Sequence, residues 1–139
     1  MKTGRSVATV LVEGGRILLG RRTMEGSCAG LWELPGGKVE DGESDEDALV
    51  REFDEEFGVP VEPIALIGET SFVHKGSTRS LAAWACRLAG DRELKLREHL
   101  EVRWCLPEES LELPFVESDR SLLPRIIAWM REGTPQRES

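Results

Sequence analysis

Residues 36–59 have the sequence GGKVEDGESDEDALVREFDEEFGV, which contains the signals for the start, face and end of one helix. Ser44 is a residue type favoured at helix N-caps, and Asp47, three residues later, makes a near capping box. Gly58 is a typical helix-ending residue. The apolar positions between them recur every four residues, at Leu49, Phe53 and Phe57. This pattern predicts an amphipathic helix over residues 45–57.

Acidic residues are concentrated in and just before this helix. Residues 40–56 contain ten Asp and Glu and one Arg, a local charge of −9, whereas the whole chain carries −8. Asp45, Glu46 and Asp47 fall in the first turn, where acids complement the positive end of the helix dipole. We interpret these three as an ordinary solvated helix face.

Three acids of the last two turns, Glu52, Glu55 and Glu56, do not fit that interpretation. They oppose the helix dipole, and they repel one another at spacings of three and four residues. At 100° per residue they occupy one arc beside the apolar stripe. Hard cations prefer oxygen ligands, so this face is typical of a site for Mg²⁺, or Mn²⁺ as a substitute, that also takes a phosphorylated substrate. A solvated charged surface is the alternative.

The flanking sequence predicts strands on both sides of this helix and a second helix near the end. Gly14-Gly15 joins two apolar runs as a tight hairpin, and residues 34–37, Leu-Pro-Gly-Gly, indicate a turn that lets the backbone approach another group closely. Ser121 is the expected cap of the last helix. The predicted strands are residues 7–12, 17–19, 64–67, 71–74, 81–88 and 102–106. We therefore expect an α/β fold with helices packed on a mixed sheet, one domain over 1–133 and a flexible tail over 134–139.

Composition excludes several classes of protein. The chain has 139 residues, 40% of them hydrophobic, which suits one domain with a sizeable core. A net charge of −8 argues against binding duplex nucleic acid or an anionic membrane through electrostatic attraction. Cys28, Cys86 and Cys105 form no C-x-x-C pair, and three free thiols indicate a cytoplasmic protein.

The spacing of the glycines and charged residues resembles that of a known family. The pattern Gly37-x5-Glu43-x7-Arg51-Glu52-Phe53-x-Glu55-Glu56-x-Gly58-Val59 is similar to the Nudix box at every specified position. Residues 30–40, GLWELPGGKVE, resemble the run before the box in MutT-like nucleoside triphosphate pyrophosphohydrolases. Arg92-Glu93 and residues 104–109, WCLPEE, are similar to the CTP pyrophosphohydrolase branch.

This resemblance implies a Nudix α/β/α sandwich and Mg²⁺-dependent hydrolysis of a nucleoside triphosphate to a monophosphate and pyrophosphate. Such activity serves nucleotide-pool sanitation on CTP or 8-oxo-dGTP. The implied metal ligands are Glu52, Glu55, Glu56 and the Gly36 carbonyl, with Arg51 and Glu43 orienting a carboxylate. Glu98, six residues before Trp104, is the implied further ligand or general base. Other Nudix substrates (nucleotide sugars, dinucleoside polyphosphates, RNA 5′ ends), an inactive nucleotide-binding module and a homodimer stay open.

Substrate contacts follow less directly from the sequence. Arg22, by the family's spacing, and Lys38 are candidates to receive phosphate oxygens, with ordinary surface cations as the alternative. Glu117 stands where the MutT prototype has a base-reading Asn, and Asp119 follows two residues later. A carboxylate there favours a base with N–H donors, such as the cytosine amino group or the guanine edge, although Asp119 could instead cap a helix.

Aromatic side chains are the candidates for stacking on the base, and the two histidines are expected to have no role. The stacking candidates are Phe72, Trp32 and Phe115. His74 and His99 are expected at the surface or in loops.

Overall fold

The computed structural model describes residues 4–26, 28–90 and 93–132. Seven strands and four helices lie in this part of the chain. The strands are β1 (Arg5–Glu13), β2 (Arg16–Arg22), β3 (Trp32–Glu33), β4 (Gly36–Lys38), β5 (Val61–His74), β6 (Ser77–Leu88) and β7 (His99–Cys105). The helices are α1 (Asp45–Phe57), α2 (Pro107–Ser110), α3 (Glu117–Arg120) and α4 (Leu123–Arg131). Within the described ranges no helix combines the length and apolar character needed to cross a membrane.

The strands form one mixed sheet in the order β3-β2-β1-β6-β5, with β4 also paired to β1 and β7 to β2. The β1–β6 pairing is parallel and the other pairings are antiparallel. Along one edge, β1 pairs with β2 at Val12–Glu13 and with β4 at Ser6–Ala8. The sheet therefore opens between β2 and β4.

Helices cover both faces of this sheet. Val7 and Leu11 of β1 pack with Leu49 and Phe53 of α1 in one apolar cluster. The other face of β1 belongs to a second cluster, which includes Ala8, Val10, Leu122, Leu123 and Ile126. This alternation along β1 produces the α/β/α sandwich and confirms the expected fold class.

The strongest local signals are confirmed. Helix α1 spans Asp45–Phe57, the Ser44 hydroxyl accepts the Asp47 N–H at 3.0 Å, and Gly58 ends the helix in the left-handed conformation at φ 72°. The β1–β2 hairpin closes through Gly14 and Gly15, both with positive φ. Such a two-residue turn matches the twist of the paired strands.

Three expectations about secondary-structure elements differ from the structure. Residues 36–38 form a strand on β1, so Gly36 and Gly37 do not belong to the expected turn. The close backbone approach expected of these glycines is confirmed, since a Cβ at Gly36 would overlap the Val7 carbonyl oxygen. Residues 61–74 are one strand with two register irregularities, not two strands. Ser121 does not cap α4, since its hydroxyl donates to the Ser118 carbonyl at 2.7 Å.

Two of the three aromatic residues expected to stack on the base are core residues instead. Trp32 and Phe115, expected as candidates for stacking, are buried at 4% and 6% exposure and join the core beneath α4. A bridge between their backbones ties β3 to the segment before α3. The predicted tail, residues 134–139, and Arg92 lie outside the described residues.

Candidate active site

The second half of α1 points its carboxylates at the glycine strand β4. A Cβ added at Gly37 would overlap the Glu52 carboxylate, so only glycine allows this approach. Glu52 lines a cavity together with Gly36, Gly37 and Glu56. Helix and strand thus bring carboxylate oxygens and exposed backbone to one place.

Glu56 is the most unusual of these groups. Its side chain is 4% exposed, and Oε1 has no hydrogen-bond partner among the described residues. Burial, with smaller contributions from Glu33, Glu52 and Glu98, raises the pKa of Glu56 to about 9. A buried carboxylate in this state is uncompensated, and a bound cation would supply the missing partner.

Arg51 forms a network of hydrogen bonds beside the site. Its Nε and Nη2 donate to the two Glu43 oxygens at 2.8 and 2.9 Å, and Nη2 also donates to the Lys38 carbonyl at 2.9 Å. Nη1 donates to Glu52 Oε2 at 3.1 Å and to Glu55 Oε2 at 3.5 Å. Arg51 therefore ties the loop before α1 to the helix and holds the Glu52 carboxylate, whose pKa burial raises.

Two further carboxylates complete the acidic surface. Glu98 is exposed just before β7 and lines the same cavity, where its charge adds to the raised pKa of Glu52 and Glu56. Glu55 is exposed and faces an adjoining hollow that shares Glu52. In the ranges that the structure describes, no three acidic, His or Cys side chains already converge as a closed metal cluster. The donor set is nevertheless all oxygen and includes the orphaned Glu56 Oε1, so these residues fit a hard cation such as Mg²⁺.

The cavity has a volume of about 270 Å³ and extends from these glutamates to the segment before α4. Between them lie side chains of β1, β5 and β6. The lining residues are Ser6, Val7, Ala8, Arg22, Glu33, Leu34, Gly36, Gly37, Glu52, Glu56, Phe72, Leu81, Glu98, Val116, Ser118 and Asp119. One end is therefore acidic, and the other is mainly apolar with a single buried carboxylate.

That carboxylate is Asp119, which is 7% exposed. Its Oδ2 accepts the Leu34 N–H at 2.9 Å, and burial raises the pKa of Asp119 to about 7. The side chain thus bonds across to the strand region instead of capping a helix, so the capping alternative is wrong. Glu117 is exposed and outside the cavity lining, because residues two apart on a helix point in nearly opposite directions. Of the two candidate base readers, the structure brings only Asp119 to the cavity.

The other predicted substrate-binding residues lie in two different places. Phe72 is half-buried and lines the cavity. Arg22 also lines it, with its Nε unpartnered within the described residues and its Nη1 3.1 Å from Glu33 Oε1. Lys38 instead faces the adjoining hollow beside Arg51 and Glu55.

His99, expected at the surface or in a loop, is instead buried beside the cavity. His99 Nε2 lies 2.9 Å from Glu33 Oε2, and its ring stacks on Phe57 with 5.5 Å between centroids. Glu33 therefore joins His99 to Arg22 at the cavity wall. A Cβ at Gly20 would collide with the His99 ring, so this glycine inside an apolar strand was the available signal.

A mixed sandwich with a glutamate-rich helix end facing a glycine strand is the arrangement of a Nudix hydrolase. The family model described as NUDIX domain matches residues 2–126, and the chain belongs to this family. It is a Nudix pyrophosphohydrolase of the MutT-like group.

Named relatives support that classification. The chain is 39% identical to the CTP pyrophosphohydrolase of Escherichia coli (strain K12), over 97% of this chain and 98% of the relative. The solution structure of the E. coli ORF135 protein superposes with a TM-score of 0.81 at 34% identity, covering 97% of this chain and 93% of that one. The crystal structure of the MutT protein from Methanosarcina mazei Go1 has a TM-score of 0.74 at 30% identity, covering 92% and 93%.

Proposed function

We propose that this enzyme hydrolyses CTP, or a cytosine nucleoside triphosphate close to it, to the monophosphate and pyrophosphate with Mg²⁺ as cofactor. The observation that carries the base preference is the buried Asp119 carboxylate at the apolar end of the cavity. The similarity to a CTP pyrophosphohydrolase over nearly the whole chain supports the same substrate class. Cytoplasmic localisation, the homodimer and the absence of nucleic-acid or membrane partners stay predictions.

In the proposed reaction a water oxygen bonds to one phosphorus of the α–β phosphoanhydride, and the bond from that phosphorus to the bridging oxygen breaks. The bridging oxygen leaves with the other phosphorus, which gives the monophosphate and pyrophosphate. Mg²⁺ (or Mn²⁺), when bound, neutralises phosphate charge and makes water more acidic. Glu52, Glu55, Glu56 and the Gly36 carbonyl would hold it. Arg51 keeps the Glu52 carboxylate in position through its 3.1 Å hydrogen bond.

The proton of the attacking water needs a carboxylate acceptor. Glu98 is exposed at the cavity wall, where water can reach its carboxylate, and we assign it this role or that of a further metal ligand. A glutamate of α1 is the other candidate base. Arg22 lines the same cavity, and its guanidinium group, which donates to Glu33 through Nη1, is the candidate cation for a phosphate oxygen.

Base selection rests on Asp119 and Phe72. The Leu34 N–H holds Asp119 Oδ2, which fixes the plane of the carboxylate. Because burial raises the pKa of Asp119 to about 7, the ionised form is populated at and above neutral pH. In that form the carboxylate accepts hydrogen bonds, so it would pair with the N4 amino group of cytosine. Phe72 supplies a ring for the base to stack on.

The test is pyrophosphate release with Mg²⁺ across normal, oxidised and methylated nucleoside triphosphates, nucleotide sugars and dinucleoside polyphosphates, repeated with EDTA. We expect the highest kcat/KM on a cytosine triphosphate and none with EDTA. Asp119→Asn should lower kcat/KM for CTP roughly 10- to 100-fold, since one base contact is worth about 1–3 kcal/mol, with a smaller loss on other bases. Glu117→Gln, outside the cavity, should change nothing.

Other outcomes identify a different substrate. Preference for 8-oxo-dGTP would retain the chemistry and overturn the cytosine assignment. Turnover confined to nucleotide sugars or dinucleotides would overturn the triphosphate assignment. Silence on every substrate would favour a nucleotide-binding module without activity.

A further inference from the structure

A second hollow of about 500 Å³ continues from the cavity past Glu52, which lines both. Three cationic side chains, Lys38, Arg51 and Arg79, face this hollow together with the carboxylates Glu40, Asp41, Glu52 and Glu55. A substrate whose base lies at Asp119 and whose reacting phosphate lies at Glu52 and Glu56 can extend its remaining phosphates into this hollow.

The three cations differ in what already occupies their N–H groups. Arg51 is saturated by the carboxylates of Glu43, Glu52 and Glu55 and by a carbonyl. Arg79 uses one nitrogen, Nη2, to donate to two neutral oxygens, Arg5 O and Ser6 Oγ, both at 3.3 Å. Its Nε and Nη1 make no hydrogen bond within the described residues, nor does the Lys38 ammonium group make an ion pair there. Arg79 therefore has donors in reserve for an anion.

The sheet places Arg79 at the junction between the two spaces. It lies opposite Phe72 in the β5–β6 pairing, and Ser6, its hydrogen-bond partner, lies opposite Lys38 in the β1–β4 pairing. Strands β4 and β6 flank β1 on its two sides, so their backbones stand roughly 10 Å apart. A phosphate group above β1 can reach both cations.

We infer that Arg79 binds the terminal phosphates of the substrate, the pair that leaves as pyrophosphate, and thereby selects triphosphates over diphosphates. This inference rests on the proposed triphosphate hydrolysis. The guanidinium fork matches phosphate oxygens, and its direct N–H donors complement the Mg²⁺ that the carboxylates of the hollow would attract. Arg79 acts as a positioning and specificity residue, while bond cleavage takes place at Glu52 and Glu56.

The experiment measures binding of inorganic pyrophosphate and of CMP to the full chain with Mg²⁺ by titration calorimetry. Arg79→Gln should raise the Kd for pyrophosphate about tenfold or more and leave the Kd for CMP unchanged. Arg79→Lys should recover part of the loss, because it keeps the charge without the fork. The matched control is Arg87→Gln, in the same strand and paired at the surface with Glu62.

Three results of the binding experiment would contradict the role of Arg79. Equal weakening of pyrophosphate and CMP, weakening of CMP alone, or no change would each overturn the inference. Failure of the wild-type chain to hydrolyse CTP, with pyrophosphate binding still dependent on Arg79, would overturn the proposed substrate and leave this phosphate site standing. Comparing kcat/KM on CTP and CDP adds a second readout: Arg79→Gln should reduce the ratio of the two.

Discussion

Helix α1 carries three acids in its first turn and four in its last two turns, and the two groups differ in burial and in hydrogen-bond partners. At the N-terminal end, Asp45 accepts two hydrogen bonds from Arg5, at 2.8 and 2.7 Å, and one from Trp84 at 3.1 Å. At the C-terminal end Glu56 is buried, and its Oε1 has no hydrogen-bond partner in the part of the chain that the structure describes. The Arg5 hydrogen bonds hold the pKa of Asp45 below its ordinary value, whereas burial raises the pKa of Glu56.

This difference shows that an acidic helix can combine a stabilised end with a destabilised one. First-turn acids agree with the helix dipole, and a cross-sheet arginine adds to that stability. The last-turn acids oppose the dipole, and the last turn has no basic residue to offset them. Such unfavourable electrostatic energy is typical of a site where a bound ligand offsets it. The C-terminal end of α1 is therefore the candidate for catalysis.

Substitution of the glutamates at the C-terminal end of α1 should have the largest effect on turnover. Glu56→Gln and Glu52→Gln should each lower Mg²⁺-dependent kcat/KM about 100- to 1,000-fold, because each removes charge from the proposed metal site. Asp47→Asn, at the exposed first turn, is the matched control and should keep full activity. Pyrophosphate release measures the effect, with thermal unfolding to verify the fold. Full turnover by the two glutamine variants would contradict the metal assignment.

The pH dependence of stability should have opposite signs at the two ends. In EDTA, the contribution of Glu56 is fully present below its ordinary pKa of 4.5 and is lost as pH rises through about 9, since the folded state holds the proton more tightly. Asp45, with a lowered pKa, contributes above its ordinary value and loses that contribution as pH falls. We expect urea unfolding to show stability falling between pH 5 and 9, by on the order of a few kcal/mol.

Variants separate the groups that titrate in this window. Glu56→Gln should flatten most of the decline, and Asp119→Asn should remove a portion below about pH 7, where the raised pKa of Asp119 lies. Added Mg²⁺ should reduce the decline in the wild type. An unchanged slope in Glu56→Gln would show that the carboxylate titrates normally.

Sequence alone predicted what depends on neighbours within a few residues. The bounds of α1 follow from Ser44, the four-residue apolar spacing and Gly58, all of which act locally. Its glutamates were identified as a candidate site because charges three and four residues apart interact directly. The β1–β2 hairpin followed from Gly14-Gly15 in the same way.

Features that depend on distant pairing were not predicted. The burial of His99 requires Gly20 beside it and Phe57 beneath it, 79 and 42 residues away in sequence. The choice of Asp119 over Glu117 depends on which side of a four-residue helix faces Leu34. Neither relation leaves a periodic pattern in the sequence, because each is set by how β2, β3 and β7 assemble.

Removing the stabilising contact at the N-terminal end should affect stability without affecting chemistry. Asp45→Asn should lower the free energy of unfolding by about 1–3 kcal/mol, since it removes the charge of the closer of two carboxylates paired with the half-buried Arg5 and weakens the Trp84 contact. Arg5 keeps its ion pair with Glu69 in this variant. Urea unfolding measures this loss, and Glu46→Gln at the same turn is the exposed control. A fall in kcat as large as that of Glu52→Gln would show that the two ends are not separable.

The smallest expected effect belongs to the helix cap. Ser44→Ala removes the acceptor for the Asp47 N–H and should cost about 1 kcal/mol of stability. Since Glu52 lies two turns further along and is held by Arg51 and β4, fraying of the first turn should leave kcat/KM unchanged. Ser44→Thr, which keeps a hydroxyl acceptor, is the matched control. If Ser44→Ala lowered kcat while stability changed little, the N-terminal turn would have to position the glutamates, and the division between a stabilising end and a catalytic end would fail.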